Sequence, residues 1–314
     1  MSYRITLIMA ILLVFTGSIL ANKQLNEPLR LEYTPRWECR RIVSMAPSIT
    51  ETLYALGLGD RVVGVTRYCE YPPDVQRKTR VGGYFDPNLE AILTLKPDLV
   101  IMLEEQAESM PAMDKLKLET LVVSHKTIDG IIDSFRTIGR RCGRGPGGRW
   151  MAREFKDRLE RICAKTQGLP RPRVLFVLDR TFGRGHLTDV YVAGADDFFE
   201  TIIESAGGRN ACRVRSVRNP VVSPEGLLWL DPDVIVDLAR TDVLERYDRQ
   251  TILADWKELA QMKAVQSGQL LIFDKGYACV PGPRLIQLVE DLARALHPEV
   301  KWEESGEWRV ESEE

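Results

Sequence analysis

Histidine is scarce in this chain. The three that occur among 314 residues, His125, His186 and His297, lie far apart. A receptor or enzyme built around a bare zinc or manganese ion needs several histidines converging with carboxylates. The six cysteines, Cys39, Cys69, Cys142, Cys163, Cys212 and Cys279, contain no Cys-x-x-Cys pair, which removes support for a zinc ribbon or a dithiol redox motif. There is no Gly-x-Ser-x-Gly elbow, no His-Glu-x-x-His helix and no phosphate-binding glycine motif, and no acid–base pair stands at readable spacing. A hydrolase therefore has no visible machinery. Charge of one sign is also lacking: 43 Lys and Arg face 45 Asp and Glu, for a net charge of −2, so nothing points to nucleic acid as a partner. Only one apolar run is long enough to matter to a membrane, which excludes a multi-pass protein.

That run is Ile5 to Leu20, with Arg4 before it and Ala21-Asn22 after it. A basic start, an apolar middle and a small residue at the end read as a secretory leader over residues 1–21. Ile19 fits the small-x-small cleavage rule poorly, so an uncleaved N-terminal anchor is the alternative. Either way the chain is expected to be exported, to a periplasmic or extracytoplasmic place. At the other end, residues 299–314 carry seven glutamates and read as a solvated tail, ordered only where Trp302 or Trp308 docks.

Between these ends, short apolar runs alternate with helical patterns, and the length suits two lobes. Strands are expected at residues 41–45, 62–65, 99–102 and 120–123, with helices between them. Ser48 and Glu51 read as the N-cap and third residue of a capping box. A breaker cluster, Gly143 to Gly148, precedes a helix of about five turns over residues 149–167. The alternation then resumes, with strands at 173–178, 234–237 and 270–273 and helices at 198–206, 224–230, 250–262 and 283–297. Strict alternation predicts α/β architecture: two doubly wound parallel-sheet lobes, 40–145 and 171–298, joined by the one long rigid helix, with a ligand cleft between them. The lobes echo each other. Leu89-Glu90-Ala-Ile-Leu-Thr-Leu-Lys-Pro97-Asp98-Leu-Val-Ile101 recurs loosely as Pro224-Glu225-Gly-Leu-Leu-Trp-Leu-Asp-Pro232-Asp233-Val-Ile-Val236.

Seven segments in order carry a family resemblance: Arg41-Ile-Val-Ser-Met-Ala-Pro-Ser-Ile-Thr-Glu51, Val63-Gly-Val-Thr-Arg-Tyr-Cys-Glu-Tyr-Pro-Pro73, Val81-Gly-Gly83 with Asn88-Leu-Glu90, Leu95-Lys-Pro-Asp-Leu-Val-Ile101, Ser205-Ala-Gly-Gly208, Pro232-Asp-Val-Ile235 and Gly282-Pro-Arg284. Over residues 40–298 the chain resembles the helical-backbone substrate-binding proteins that serve iron-siderophore, haem and vitamin B12 importers. The resemblance implies a monomeric receptor that captures a small-molecule metal complex, delivers it to the permease of an ABC importer, and uses no cofactor of its own. A receptor for a bare metal ion and a secreted enzyme on the same fold are the alternatives. Leu103 and Asn219 stand where vitamin B12 binders often carry tryptophan, a departure from that branch.

Large planar ligands are gripped by aromatic faces. Tyr68, Tyr84 and Phe85 in first-lobe loops are the candidate contacts, with Phe182 and Tyr277 as second-lobe counterparts. Arginines cluster as Arg180 and Arg184 on one loop and Arg209, Arg213, Arg215 and Arg218 on another. Guanidinium forks suit the carboxylates or catecholates of an anionic chelate, and Arg180, Arg215 and Arg218 are the candidates. By the resemblance, Glu90 and Glu225 pair with arginine pockets on the permease; the helix dipole alone also favours an acid at those positions.

Overall fold

The computed structural model describes residues 39–195 and 198–302. The leader, residue 308 and most of the acidic tail lie outside the described residues. Within them, no helix is long and apolar enough to cross a membrane.

The first sheet runs through β1 (Ile42–Ser44), α1 (Pro47–Ala55), β2 (Val62–Val65), β3 (Thr79–Arg80), α2 (Leu89–Thr94), β4 (Leu99–Leu103), α3 (Met110–Lys115), β5 (Thr120–Val123) and α4 (Ile128–Arg141). The strand order is β3-β2-β1-β4-β5, every pair parallel. Apolar runs such as Leu99–Leu103 are buried along their whole length, as strands covered on both faces must be.

A long helix, α5 (Gly145–Thr166), then leaves the first lobe. Its 22 residues span about 33 Å. It starts four residues earlier than the sequence pattern predicts, because the glycine cluster is used for close packing. A Cβ on Gly148 would sit 2.4 Å from the Phe135 carbonyl oxygen of α4, and one on Gly139 would sit 3.0 Å from the Gly148 Cα. Helix axes can approach this closely only where side chains are missing.

The second lobe comprises β6 (Arg173–Arg180), β7 (Val190–Val192), α6 (Phe198–Ser205), β8 (Arg209–Asn210), β9 (Val221–Val222), α7 (Pro224–Leu230), β10 (Val234–Leu238), α8 (Thr241–Leu244), α9 (Arg249–Ala254), α10 (Lys263–Gln266), β11 (Leu270–Phe273) and α11 (Leu285–Leu296). The order is β11-β10-β6-β7-β9, with β8 beside the early residues of β6. Its β11-β10-β6 core is parallel, and β7 and β9 extend it as antiparallel strands. Both extra strands fall in stretches that the sequence pattern leaves as loop.

The lobe-to-lobe echo has a physical basis. In each lobe a short helix is capped by a side chain that accepts a backbone N–H: Asn88 from Ala91, and Ser223 from Gly226. Each is followed by a left-handed residue before proline, Lys96 (φ 45°) and Asp231 (φ 38°). The aspartate after each proline then fastens the neighbouring strand, Asp98 accepting from Arg40 and Arg41 N–H and Asp233 from Arg173 N–H. The arginine there reaches back to the helix end, Arg41 to the Leu95 carbonyl and Arg173 to the Asp231 carbonyl.

One apolar core runs through both sheets and α5, from Ile42 and Phe135 through Met151 and Phe155 to Phe176 and Leu288. On its second-lobe side α5 is fastened by Arg158, whose guanidinium forks onto Glu290 of α11 at 2.8 and 2.9 Å. Trp302 packs on the same core and donates its indole N–H to the His297 carbonyl.

Candidate ligand-binding site

The carboxyl ends of β1 and β4 flank the point where strand order reverses, which is where open α/β sheets bind ligands. Met45 continues the ladder for one residue by donating to the Ile101 carbonyl. Ala46 is extended and Pro47 opens α1, so Ala46, Pro47 and Ser48 turn across the top of the sheet. The predicted capping box does not form. Ala46 is the N-cap and no side chain caps the helix. Ser48 instead bonds His125, and Glu51 is buried against Arg284 of the second lobe at 2.6 Å. Burial pushes the Glu51 carboxyl above its usual range, and Arg284 pulls it back.

A buried glutamine organises the neighbouring loops. Gln106 is 1% exposed; its Oε1 accepts from Leu103 N–H and its Nε2 donates to the Met45 and Tyr84 carbonyls. Three loops are thereby locked together, which fixes the backbone carrying Tyr84.

The result is a cleft of about 420 Å³ between the lobes, a size suited to one small ligand. From the first lobe it is walled by Ala46, Pro47, Ser48, Tyr68, Tyr84 and Leu103. Opposite them stand Leu178, Phe198, Phe199, Arg218, Asn219 and the Cys279–Pro281 tip. The Tyr84 hydroxyl is pushed up to about 12 by burial and by the nearby Glu105 charge, with Arg218 opposing, so it stays a neutral donor. Among the described residues of the wall Arg218 is the one that carries a charge, and it already contacts Glu105 across the cleft at 3.3 Å.

Of the candidates from sequence, Tyr68, Tyr84 and Arg218 line this cleft. Phe85 does not: it is 72% exposed and meets the Tyr84 ring edge to face, with centroids 4.6 Å apart. Arg180 and Phe182 require correction. Arg180 points inward, with its side chain fully buried between Asp237 and Asp255. Phe182 covers its guanidinium at 4.2 Å and packs with Ala239, Ile252 and Ile272. Two carboxylates inside a lobe need a compensating cation, and that need holds Arg180 away from any ligand. Gly183 and Gly185, both in the left-handed region, donate their N–H groups to Asp255. Arg215 is exposed and does not line the cleft. Tyr277 is half-buried and does not line it either, its hydroxyl on Asp291 and its ring near Arg284. Glu90 and Glu225 are exposed, each in the first turn of its short helix. Its own backbone N–H and then the Ser223 hydroxyl hold the Glu225 carboxyl below its usual range.

None of the three histidines lines the cleft. His186 is exposed, with Nδ1 near the Arg184 carbonyl, and His125 and His297 are buried. Among the described residues no group of three or more His, Cys, Asp or Glu converges to hold a metal ion. Ser48, Gln106, Phe198 and Phe199 were not singled out by sequence reasoning. The first fits a helix cap in the sequence, and the phenylalanines simply open the helix expected at 198–206.

Comparison with known proteins bears on this geometry. A family model described as periplasmic binding protein matches residues 42–277. An uncharacterised ABC transporter substrate-binding lipoprotein of Bacillus subtilis is 30% identical, the match covering 85% of this chain and 83% of that one. The vitamin B12-binding protein of Vibrio cholerae is 29% identical over 82% of this chain and 88% of its own length. Among solved structures, the periplasmic vitamin B12-binding protein of Vibrio cholerae superposes with a TM-score of 0.70 at 26% identity, covering 83% of this chain and 98% of that one. The periplasmic haem-binding protein of Roseiflexus, in apo form, gives 0.70 at 25% identity with the same coverage.

Proposed function

The chain belongs to the periplasmic binding protein family, and from that premise we propose that it is the receptor of an ABC importer whose ligand is a corrinoid. Receptors of this class work outside the cytoplasm and hand a small molecule to a permease. The observation that favours a corrinoid is the charge balance of the cleft. Among the described residues its walls offer two tyrosines and two phenylalanines for a flat macrocycle, while the one guanidinium there, that of Arg218, is already engaged by Glu105. The paired carboxylates of a haem or the anionic groups of a ferric chelate would want cations left over for them. A corrin, whose rim carries neutral amides, does not. Phe198 and Phe199, with ring centroids 4.4 Å apart, supply apolar surface where Leu103 and Asn219 stand in place of tryptophan.

Tyr68, Tyr84 and Arg218 are the proposed ligand contacts. Glu90 and Glu225 are the proposed docking acids, one per lobe, so that only one pose on the permease satisfies both. Trp229 joins them: it lies four residues after Glu225, on the same side of α7, and is 84% exposed. A monomer with lobes 40–145 and 171–298 about the helix, released by leader cleavage or held by an uncleaved anchor, completes the reading. No chemistry on the ligand belongs to it.

Absorbance of protein purified from its own host tests the ligand, since haem, corrinoid and ferric chelates have distinct spectra. Corrinoid bands and saturable calorimetric binding of cyanocobalamin are expected. A haem Soret band with no cyanocobalamin binding would replace the corrinoid with haem.

A further inference from the structure

Behind the cleft wall, polar groups run in single file into the first lobe. Ser48 Oγ lies 2.9 Å from His125 Nδ1, His125 Nε2 lies 2.8 Å from Ser134 Oγ, and Ser134 Oγ donates to the Ile131 carbonyl at 2.6 Å. All three side chains belong to residues 2% exposed, and Ser48 alone of them lines the cleft. From the second lobe Gly282 presses on Ser48: a Cβ there would lie 3.2 Å from the Ser48 Cα.

Counting hydrogens orders this file. A carbonyl only accepts, so the single hydroxyl hydrogen of Ser134 goes to Ile131. Ser134 must then accept from His125, which puts the ring proton on Nε2. Burial keeps the imidazole neutral, its pKa pushed down to about 3, so Nδ1 is bare and can only accept. Ser48 must therefore donate to Nδ1, and its only hydrogen is turned away from the cleft. A serine beside a histidine is also the layout of an acyl-transfer pair. Here the third group is a hydroxyl rather than a carboxylate and the imidazolium is strongly disfavoured, so the histidine fixes a direction and does not take a proton.

We propose that Ser48 is held as an obligate hydrogen-bond acceptor by His125 and Ser134, and that it selects ligands presenting an N–H donor at that point of the cleft, a carboxamide over a carboxylate. This deepens the corrinoid reading and rests on it. A corrin rim carries carboxamides, whose N–H groups can meet Ser48, whereas the propionates of a porphyrin bring only a second acceptor. Two acceptors face to face leave both desolvated and unpaired, the arrangement that discriminates most strongly between close analogues.

Two measurements test it. With three histidines in the chain, long-range ¹H–¹⁵N correlation assigns the tautomer of His125 directly; the Nε2–H form is expected, and an Nδ1–H form overturns the proposal. Calorimetry then compares cyanocobalamin with its monocarboxylic acid derivatives, in which one amide at a time becomes a carboxylate. For wild type, the acid at the contacted amide should bind about tenfold more weakly than the parent. In Ser48→Ala that ratio should fall toward one while parent affinity drops about fivefold to tenfold, and Ser134→Ala, which frees the tautomer, should reduce the ratio without touching the cleft. A ratio unchanged in Ser48→Ala refutes the acceptor role and leaves the corrinoid reading standing. Wild type that binds no cyanocobalamin refutes the corrinoid reading, and the tautomer then decides the state of Ser48 by itself.

Discussion

His125 makes the stability of the fold depend on pH in a direction and size that can be worked out. Its ordinary pKa is 6.5, and in the folded chain burial lowers it to about 3. Between those values the unfolded chain binds a proton that the folded chain refuses. Stability therefore rises with pH across this window; the contribution is complete above about pH 6.5 and is lost as pH falls toward 3. The slope is about 1.4 kcal/mol per pH unit, so moving from pH 7 to pH 5 should cost about 2 kcal/mol, and to pH 4 about 3. Other buried acids titrate too, so the contribution is isolated by difference. His125→Gln keeps polar atoms near Ser48 and Ser134 but cannot ionise. Urea unfolding of both proteins at pH 7, 6, 5 and 4 should show the wild type losing about 2 kcal/mol more than the variant by pH 5. The variant's lower stability at pH 7 does not affect this, since only the slopes are compared. Parallel pH profiles would refute the buried neutral imidazole, and with it the hydrogen order assigned to Ser48.

Tyr68→Ala and Tyr84→Ala should each weaken cyanocobalamin binding by about 1–3 kcal/mol in calorimetry if a corrin face stacks there; unchanged affinity in both removes the aromatic grip. Arg180→Met should lower unfolding free energy by about 3–5 kcal/mol, because Asp237 and Asp255 lose their cation, while ligand affinity per folded molecule stays put. Weakened binding with undiminished stability would return Arg180 to the site. The double variant Glu90→Arg, Glu225→Arg should bind ligand normally yet abolish ligand-stimulated transport in reconstituted vesicles, and Trp229→Ala should slow it. Normal transport by the double variant leaves the helix dipole as the whole reason for those acids. Ligand should raise the melting temperature in a concentration-dependent way, and mass spectrometry after long incubation should find it chemically unaltered.

The residues that were readable in the sequence are those whose role is local. Strand runs such as Leu99–Leu103, the turn at Pro97-Asp98 and its echo at Pro232-Asp233 need only their neighbours to be recognised. Tyr68 and Tyr84 were legible because an aromatic between glycines and prolines after a strand has no apolar repeat to join. Arg180 is not legible in this way because its partners lie 57 and 75 residues away, and nothing beside it in the chain reveals two buried aspartates. Ser48 is hidden for the opposite reason. A local motif, serine with glutamate three residues on, explained it well enough to hide His125, 77 residues distant. Phe198 and Phe199 look like any amphipathic start until the position of α6 at the cleft is known.

The shared core has a consequence for how the chain comes apart. Because one apolar cluster passes from the first sheet through Met151 and Phe155 of α5 into the second, neither lobe retains a complete interior once the other is lost. The chain should therefore melt in one calorimetric step, with the van 't Hoff enthalpy matching the measured enthalpy, although two separate sheets would ordinarily be expected to give two transitions. For an importer that has to find loaded receptors among many copies, this means a damaged copy is missing altogether. No surviving single lobe is left to offer one of the two proposed docking acids to the permease and occupy it without cargo.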